Sequence, residues 1–454
     1  MPRTIVKGGI VITAMSSYRA DVLIEGESIL GIVTDATLMP GDQIIDATEC
    51  YVMPGLIDAH THIQLDTGIF KTPDDWAIGT QTAAWGGVTT VIDFATQYSG
   101  MTLDQAIDHR LTETATAVID YSLHCMLTGR PDDEEIKRLV DRGVMSLKLF
   151  TTYRPNYYVD DAVVLHIMEA AARYNAIVMV HCENDSIVSG ATTHLVEGGK
   201  TALAYHGRAR PILAEEEAVN RILYLAEAAG CVVYVVHCSS AKSVQQVRRA
   251  VQRGVRAYCE TCPQYLFLDD SLYLGDNPEH YILQPPLRPK NQSEALWKLI
   301  TLGVIDVIST DHCDYTLAQK CEFGDFTRTP GGLPGLETML PLMYTHSLDK
   351  ARSPLTALVR MMSTNPARIF GLDHRKGDIR AGLDADVVIY DPKPRRYLQP
   401  DDLHNIAGYT PYEGIRLRGA VRTVLCRGQR VIEDGKFVGQ TGYGQFIAGQ
   451  PVKQ

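Results

Sequence analysis

Eight short, apolar, strand-like runs recur between residues 56 and 310, and helix-like stretches separate most of them. The runs are Leu56–Thr61, Thr89–Phe94, Tyr121–Met126, Ser146–Phe150, Ile177–Cys182, Val232–Cys238, Val255–Thr261 and Val304–Thr310. Stretches such as "DDAVVLHIMEAAARYN" and "EEEAVNRILYLAEAAG" lie between them. Eight strands in alternation with helices are what a (β/α)₈ barrel needs, and its active site belongs at the C-terminal ends of the strands. Both ends of the chain have another texture. Residues 1–53 and 376–454 read as short strands punctuated by turns, which suggests one β-sandwich built from both termini. The expected fold is therefore α/β: a TIM barrel over 54–375 with a smaller β-sandwich domain from 1–53 and 376–454. The closing "GQFIAGQPVKQ" reads as a loosely ordered tail.

Charge and patterning exclude several function classes. A formal charge of −11 without a basic run argues against a nucleic-acid partner. No apolar stretch approaches the ~18 residues of a membrane span. The start, "MPRTIVKGGIVITAM", alternates like a strand and lacks a signal peptide's apolar segment, so a cytoplasmic location is expected. The ten cysteines fit a reducing compartment, and Cys259 and Cys262 form a lone C-x-x-C that reads as core thiols.

Polar residues closing the apolar runs carry the chemistry. The first run ends in "GLIDAHTHIQ", where His60 and His62 repeat at the two-residue spacing that puts side chains on one side of an extended backbone. His181 closes the fifth run, His237 the sixth, and Asp311 follows the eighth. A histidine at a strand end is commonly a rim residue, but four of them with an aspartate at one barrel mouth suit borderline metals such as Zn²⁺. The fourth run supplies Lys148, between Leu147 and Leu149 with Phe150 close behind. An ammonium among apolar neighbours is costly to desolvate. A neutral amine can instead combine with CO₂, giving an anionic carbamate able to bridge two metals.

"GLIDAHTHIQ", "SLKLFTTY", "VHCEN", "VVHCSSAKSV" and "STDHC" resemble the cyclic amidohydrolases, dihydropyrimidinases and hydantoinases first, then allantoinases and dihydroorotases. "ETCPQYL", "PPLR" and "NPARIFGL" extend the resemblance over nearly the whole chain. It implies that His60 and His62 bind a more buried zinc ion, His181 and His237 a more exposed one, and carboxylated Lys148 bridges them. Asp311 would ligate the buried metal and shuttle the proton. Tyr153 would donate to the oxyanion, and Asp58 would orient a ligand histidine. Leu65, Phe70, Tyr157 and Tyr158 fall in loops that shape the pocket for a ring substituent. A homotetramer, or a dimer, is implied by the resemblance alone.

Two positions depart from the family's pattern. Gln284 stands before "PPLR" where a serine is common, and Pro334 in "GGLPGLE" stands where an asparagine is common. The corresponding residues hold the substrate amide through their main chains. Proline has no N–H, so that donor would come from a neighbour such as Gly335. The implied function is a binuclear-zinc cyclic amidohydrolase that opens dihydropyrimidines or 5-substituted hydantoins to N-carbamoyl amino acids. An allantoinase, or another cyclic ureide hydrolase, is the alternative. An inactive hydantoinase-like scaffold is a remoter one, against which the intact ligand positions argue.

Overall fold

The structure, a computed structural model, describes residues 3–349 and 354–451. Eight parallel strands form one sheet in sequential order: Leu56–Thr61, Val88–Thr96, Asp120–Met126, Ser146–Phe150, Ile177–His181, Val232–Val235, Ala257–Thr261 and Val307–Ile308. The first and last meet where the His62 amide donates to the His312 carbonyl at 2.7 Å, which nearly closes the (β/α)₈ barrel. Helices between the strands start and stop where local chemistry dictates. Asp160 caps Asp161–Tyr174, which ends at Asn175 in the left-handed region (φ 57°). Gly230 (φ 65°) ends Ile212–Ala229 in the same way.

The fourth strand explains its own lysine. Leu147 and Leu149 join the cluster packed between strands and helices, so alternation turns Ser146, Lys148 and Phe150 towards the barrel interior. The fifth strand matches it, with Ile177 and Met179 inside and His181 next in that register.

The eighth strand is shorter than the sequence suggests, with regular pairing only at Val307–Ile308. Side chains replace ladder bonds around it. Asp306 Oδ2 accepts from the Cys259 amide at 2.9 Å, and Asp58 Oδ1 accepts from the Thr310 amide at 3.1 Å.

Both termini build one nine-stranded mixed sheet. Its order runs Lys436–Phe437, Gln429–Glu433, Arg416–Cys426, Val387–Tyr397, Tyr51–Pro54, Arg3–Ile12, Ser17–Glu25 and Ser28–Val33, with Gln43–Asp46 also beside Arg3–Ile12. It has its own apolar cluster, including Val11, Val22, Val52, Val387 and Leu425. Gly55 alone separates this sheet from the first barrel strand, and a Cβ there would collide with the Thr89 side chain. Only glycine permits that approach.

The tail is ordered rather than loose through Pro451; residues 452–454 lie outside the described ones. Ile447 is buried with Phe370 and Leu372 beneath the barrel interior, its amide donating to the Tyr121 carbonyl at 2.7 Å. Backbone bonds from Gly449 and Gln450 continue the tie. Polar composition concealed it, because main-chain pairing does the anchoring.

A buried ionic network joins barrel to sheet. Lys376 Nζ lies 2.5 Å from Asp120, 2.9 Å from Asp384 and 2.8 Å from Asp386, and Arg427 Nε lies 3.0 Å from Asp120. Removing one member of such a set strands the others' charge. Lys376→Met should therefore lower stability by about 3–5 kcal/mol, read as a fall in the denaturant midpoint. An unchanged midpoint would show that the network does not hold the two parts together.

Candidate active site

A cavity of about 390 Å³ opens at the C-terminal ends of the barrel strands. His60, His62, Lys148, Tyr153, His181, His237, Gln284, Leu65 and Asp311 all line it. Pro334 does not, although its neighbour Leu333 does, and Phe70 packs behind the wall against Tyr315 and Phe323.

One group is built from the first strand and the segment after the eighth. His60 Nε2 lies 3.2 Å and His62 Nε2 3.4 Å from Asp311 Oδ1, and Lys148 Nζ lies 3.5 Å from His60 Nε2. His237 and His181 reach the same space from adjacent strands, with ring centroids 4.6 Å apart. Local backbone geometry aims several of these groups. Tyr153 (φ 73°), His237 (φ 35°) and Asp311 (φ 53°) all adopt the left-handed region, which non-glycine residues seldom occupy. At His237 the consequence is direct. Tyr234 and Val236 face inward, so strict alternation would send His237 out.

Two carboxylates that the sequence reading passes over set the imidazoles. Glu260 Oε1 lies 2.7 Å from His60 Nδ1 and also accepts from the His237 amide at 2.9 Å, while Oε2 accepts from the Tyr234 hydroxyl at 2.8 Å. The Nδ1 proton of His60 is thereby fixed, and its Nε2 lone pair faces the cavity. Glu183 Oε2 lies 2.7 Å from His181 Nε2 and pairs with Arg210, whose guanidinium covers the Tyr153 ring at 5.0 Å. Both glutamates were visible at strand ends, in "YCETCP" and "VHCEN". Asp58 meets His60 through the main chain. It accepts from the amides of His60 (3.3 Å) and Thr310 (3.1 Å) and from the Thr310 hydroxyl (2.6 Å). Its effect is on the backbone that carries His60 and Asp311.

Electrostatics divide the site into neutral bases and one anion. Burial keeps His60 and His237 neutral, well below the ordinary imidazole range, and lowers His181 as well. For Asp311 burial opposes charge, but the surrounding His60, His62 and Lys148 outweigh it, and the carboxyl is held below its ordinary value. Burial raises the Tyr153 hydroxyl, which therefore remains a donor. Lys148 is 1% exposed, lies 5.0 Å from the Phe94 ring centroid, and is drawn by burial down to about 8.

This donor set fits divalent metal ions. Each ligand must offer a lone pair, which neutral imidazoles and an ionised carboxylate do. His237 Nδ1 is buried without a hydrogen-bond partner among the described residues, an orphan that such an ion would satisfy. His60, His62 and Asp311 bring ligand atoms within 4.8 Å of one another.

A second buried group, Asp74, His312 and Asp314, has similar composition but different chemistry. The Gly335 amide donates to His312 Nδ1 at 3.1 Å, so Nε2 carries the ring proton towards Asp314 (3.4 Å) and Asp74 (3.8 Å). A protonated nitrogen cannot ligate. The same bond engages the amide that the sequence reading offers to substrate in place of Pro334.

The family model for the amidohydrolase family matches residues 51–431. The chain is 38% identical to a D-hydantoinase of Geobacillus stearothermophilus, over 98% of this chain and 96% of that one. It is 37% identical to a D-phenylhydantoinase of Escherichia coli O1:K1, over 99% and 98% respectively. Among solved structures, dihydropyrimidinase from Brevibacillus agri NCHU1002 superposes with a TM-score of 0.97 at 34% identity, covering 100% of both chains.

Loss of the Glu260 anchor should loosen the ligand it orients. Glu260→Gln is expected to weaken divalent-metal affinity by roughly 10–100-fold, measured by chelator competition with metal analysis. Unchanged affinity would confine Glu260 to holding the backbone at residue 237.

Proposed function

Because the chain belongs to the amidohydrolase family, in its dihydropyrimidinase and hydantoinase branch, we propose that it is a metal-dependent hydrolase opening the ring amide of dihydropyrimidines or 5-substituted hydantoins. The observation that carries this reading is the meeting of four histidines, Asp311 and a buried lysine in one cavity. Two Zn²⁺ ions suit the ligands: His60, His62 and Asp311 for the inner, His181 and His237 for the outer. Lys148, once carboxylated, would bridge them. Carboxylation joins the amine nitrogen to the carbon of CO₂ and releases a proton, so it needs the neutral amine that burial favours. When bound, the metals supply Lewis acidity and a lowered water pKa.

The chain's own groups do the rest. Asp311 takes the proton from the attacking water and delivers it to the leaving ring nitrogen. Tyr153 donates its hydroxyl hydrogen to the carbonyl oxygen as negative charge develops there. Leu65, Phe150 and Tyr157 wall the cavity with apolar surface suited to a ring substituent. The product is an N-carbamoyl amino acid. We place the enzyme in the cytoplasm as a homotetramer. Ten unpaired cysteines support a reducing compartment, and the described residues include no helix long and apolar enough to cross a membrane.

Metal-loaded protein assayed on dihydrouracil, hydantoin, 5-phenylhydantoin, allantoin and dihydroorotate should open the first three fastest. Turnover of allantoin alone would make this an allantoinase. Asp311→Asn should retain much of its metal and lose turnover by several orders of magnitude; a variant keeping a tenth of kcat would remove Asp311 as proton carrier. Tyr153→Phe should lower kcat by roughly 10²–10³, with a smaller change in KM. Reconstitution of metal-free protein, at fixed dissolved CO₂, should accelerate as pH rises through about 8, because that is where Lys148 loses its proton. Lys148→Arg should not reconstitute at any pH, and full metal loading of that variant would eliminate the carbamate.

A further inference from the structure

Two glutamine side chains line the reaction cavity, and they differ in what they are free to do. Gln264 is engaged: its Nε2 donates to the Thr310 carbonyl at 3.0 Å and its Oε1 accepts from the Tyr412 hydroxyl at 3.4 Å. The Gln284 carboxamide is only partly buried, and among the described residues it neither donates nor accepts a hydrogen bond. It lies across Gly331, so closely that a Cβ on Gly331 would overlap its terminal atoms. Gly331 is not in the left-handed region, so its backbone would accept alanine. What glycine provides here is space for Gln284.

The segments carrying this pair are locked together. Lys320, fully buried, donates to the carbonyls of Ile282 (2.7 Å), Pro330 (3.0 Å) and Gly332 (3.0 Å). These residues flank Gln284 on one side and Gly331 on the other. The main chain on either side of the carboxamide is thereby fixed, while the side chain itself stays free to meet a ligand.

We infer that the Gln284 side chain is a specificity-determining group that pairs with the urea edge of the ring, the carbonyl and N–H that survive ring opening. The inference rests on the function proposed above. A primary carboxamide offers one donor and one acceptor side by side, the complement of a cis C=O and N–H in a five- or six-membered ureide. Its Nε2–H donates to the ring carbonyl, and its Oε1 accepts from the adjacent ring N–H. A serine at this position has no such pair to offer. The chain therefore favours rings with an unsubstituted urea nitrogen.

Binding can be measured without turnover in the Asp311→Asn protein, and calorimetry with hydantoin and 1-methylhydantoin is the test. Hydantoin should bind roughly 10–100-fold more tightly than its methylated analogue, the scale of one or two neutral hydrogen bonds. Gln284→Leu should abolish most of that preference while leaving metal content unchanged. Gly331→Ala should weaken hydantoin binding when residue 284 is glutamine, and have no effect in Gln284→Ser, whose shorter side chain clears the added methyl. Equal preference in Gln284→Leu and its parent would overturn the inference. Failure of the otherwise unsubstituted enzyme to open any ring would overturn the proposed function instead, since the binding measurement does not depend on catalysis.

Discussion

The carboxylate of Asp58 holds the seam between the first and eighth barrel strands, and the site hangs from that seam. It takes the Thr310 amide and hydroxyl from one strand and the His60 amide from its own. Regular pairing has already ended at Ile308, so this side chain stands in for ladder bonds at the point where the barrel closes. His60, His62 and Asp311 all lie within four residues of it or directly after its partner. Their mutual distances of 3.2 and 3.4 Å are set by how closely the two strands are drawn together. Burial pushes Asp58 up to about 7, and its three donors work against that rise.

Burial otherwise acts to one purpose. An imidazolium cannot ligate, and an ammonium cannot be carboxylated; removing water favours the neutral form of both. Asp311 is the counterexample, for its carboxyl is held below the ordinary value although it is buried. Bases and an acid acceptor are thus distinguished by neighbours rather than by residue type.

Much of this was legible in the sequence, and for definite reasons. A strand fully buried on both faces declares itself by composition, and a two-residue period assigns Lys148 to the face opposite Leu147 and Leu149. Alternation fails at His237, where left-handed backbone redirects the chain, although residue identity still marked it. The partners of the imidazoles were harder to see. Glu260 is 200 residues from His60, and nothing local shows that they meet. Asp58 was read as orienting a ligand histidine, but the means is not legible in sequence: its carboxylate meets His60 through the main-chain amide. The tail misled for a similar reason. Glycine and glutamine have little apolar surface, but their amides pair as well as any.

The joint at Gly55 bears on how the molecule is made. Tyr51–Pro54 pairs on one side with Arg3–Ile12 and on the other with Val387–Tyr397, and nearly the entire barrel is threaded between these partners. During synthesis the early strands wait with one edge bare until most of the chain has emerged. Contacts so distant along the chain are slow to form, and an unpaired edge meanwhile invites association with other chains. Ile44, half-exposed on the short strand Gln43–Asp46 at the fringe of this sheet, adds an apolar side chain to that surface. Nascent chains stalled before residue 387 should therefore be unusually dependent on chaperones, whereas release of the last strands would let the waiting edge be covered.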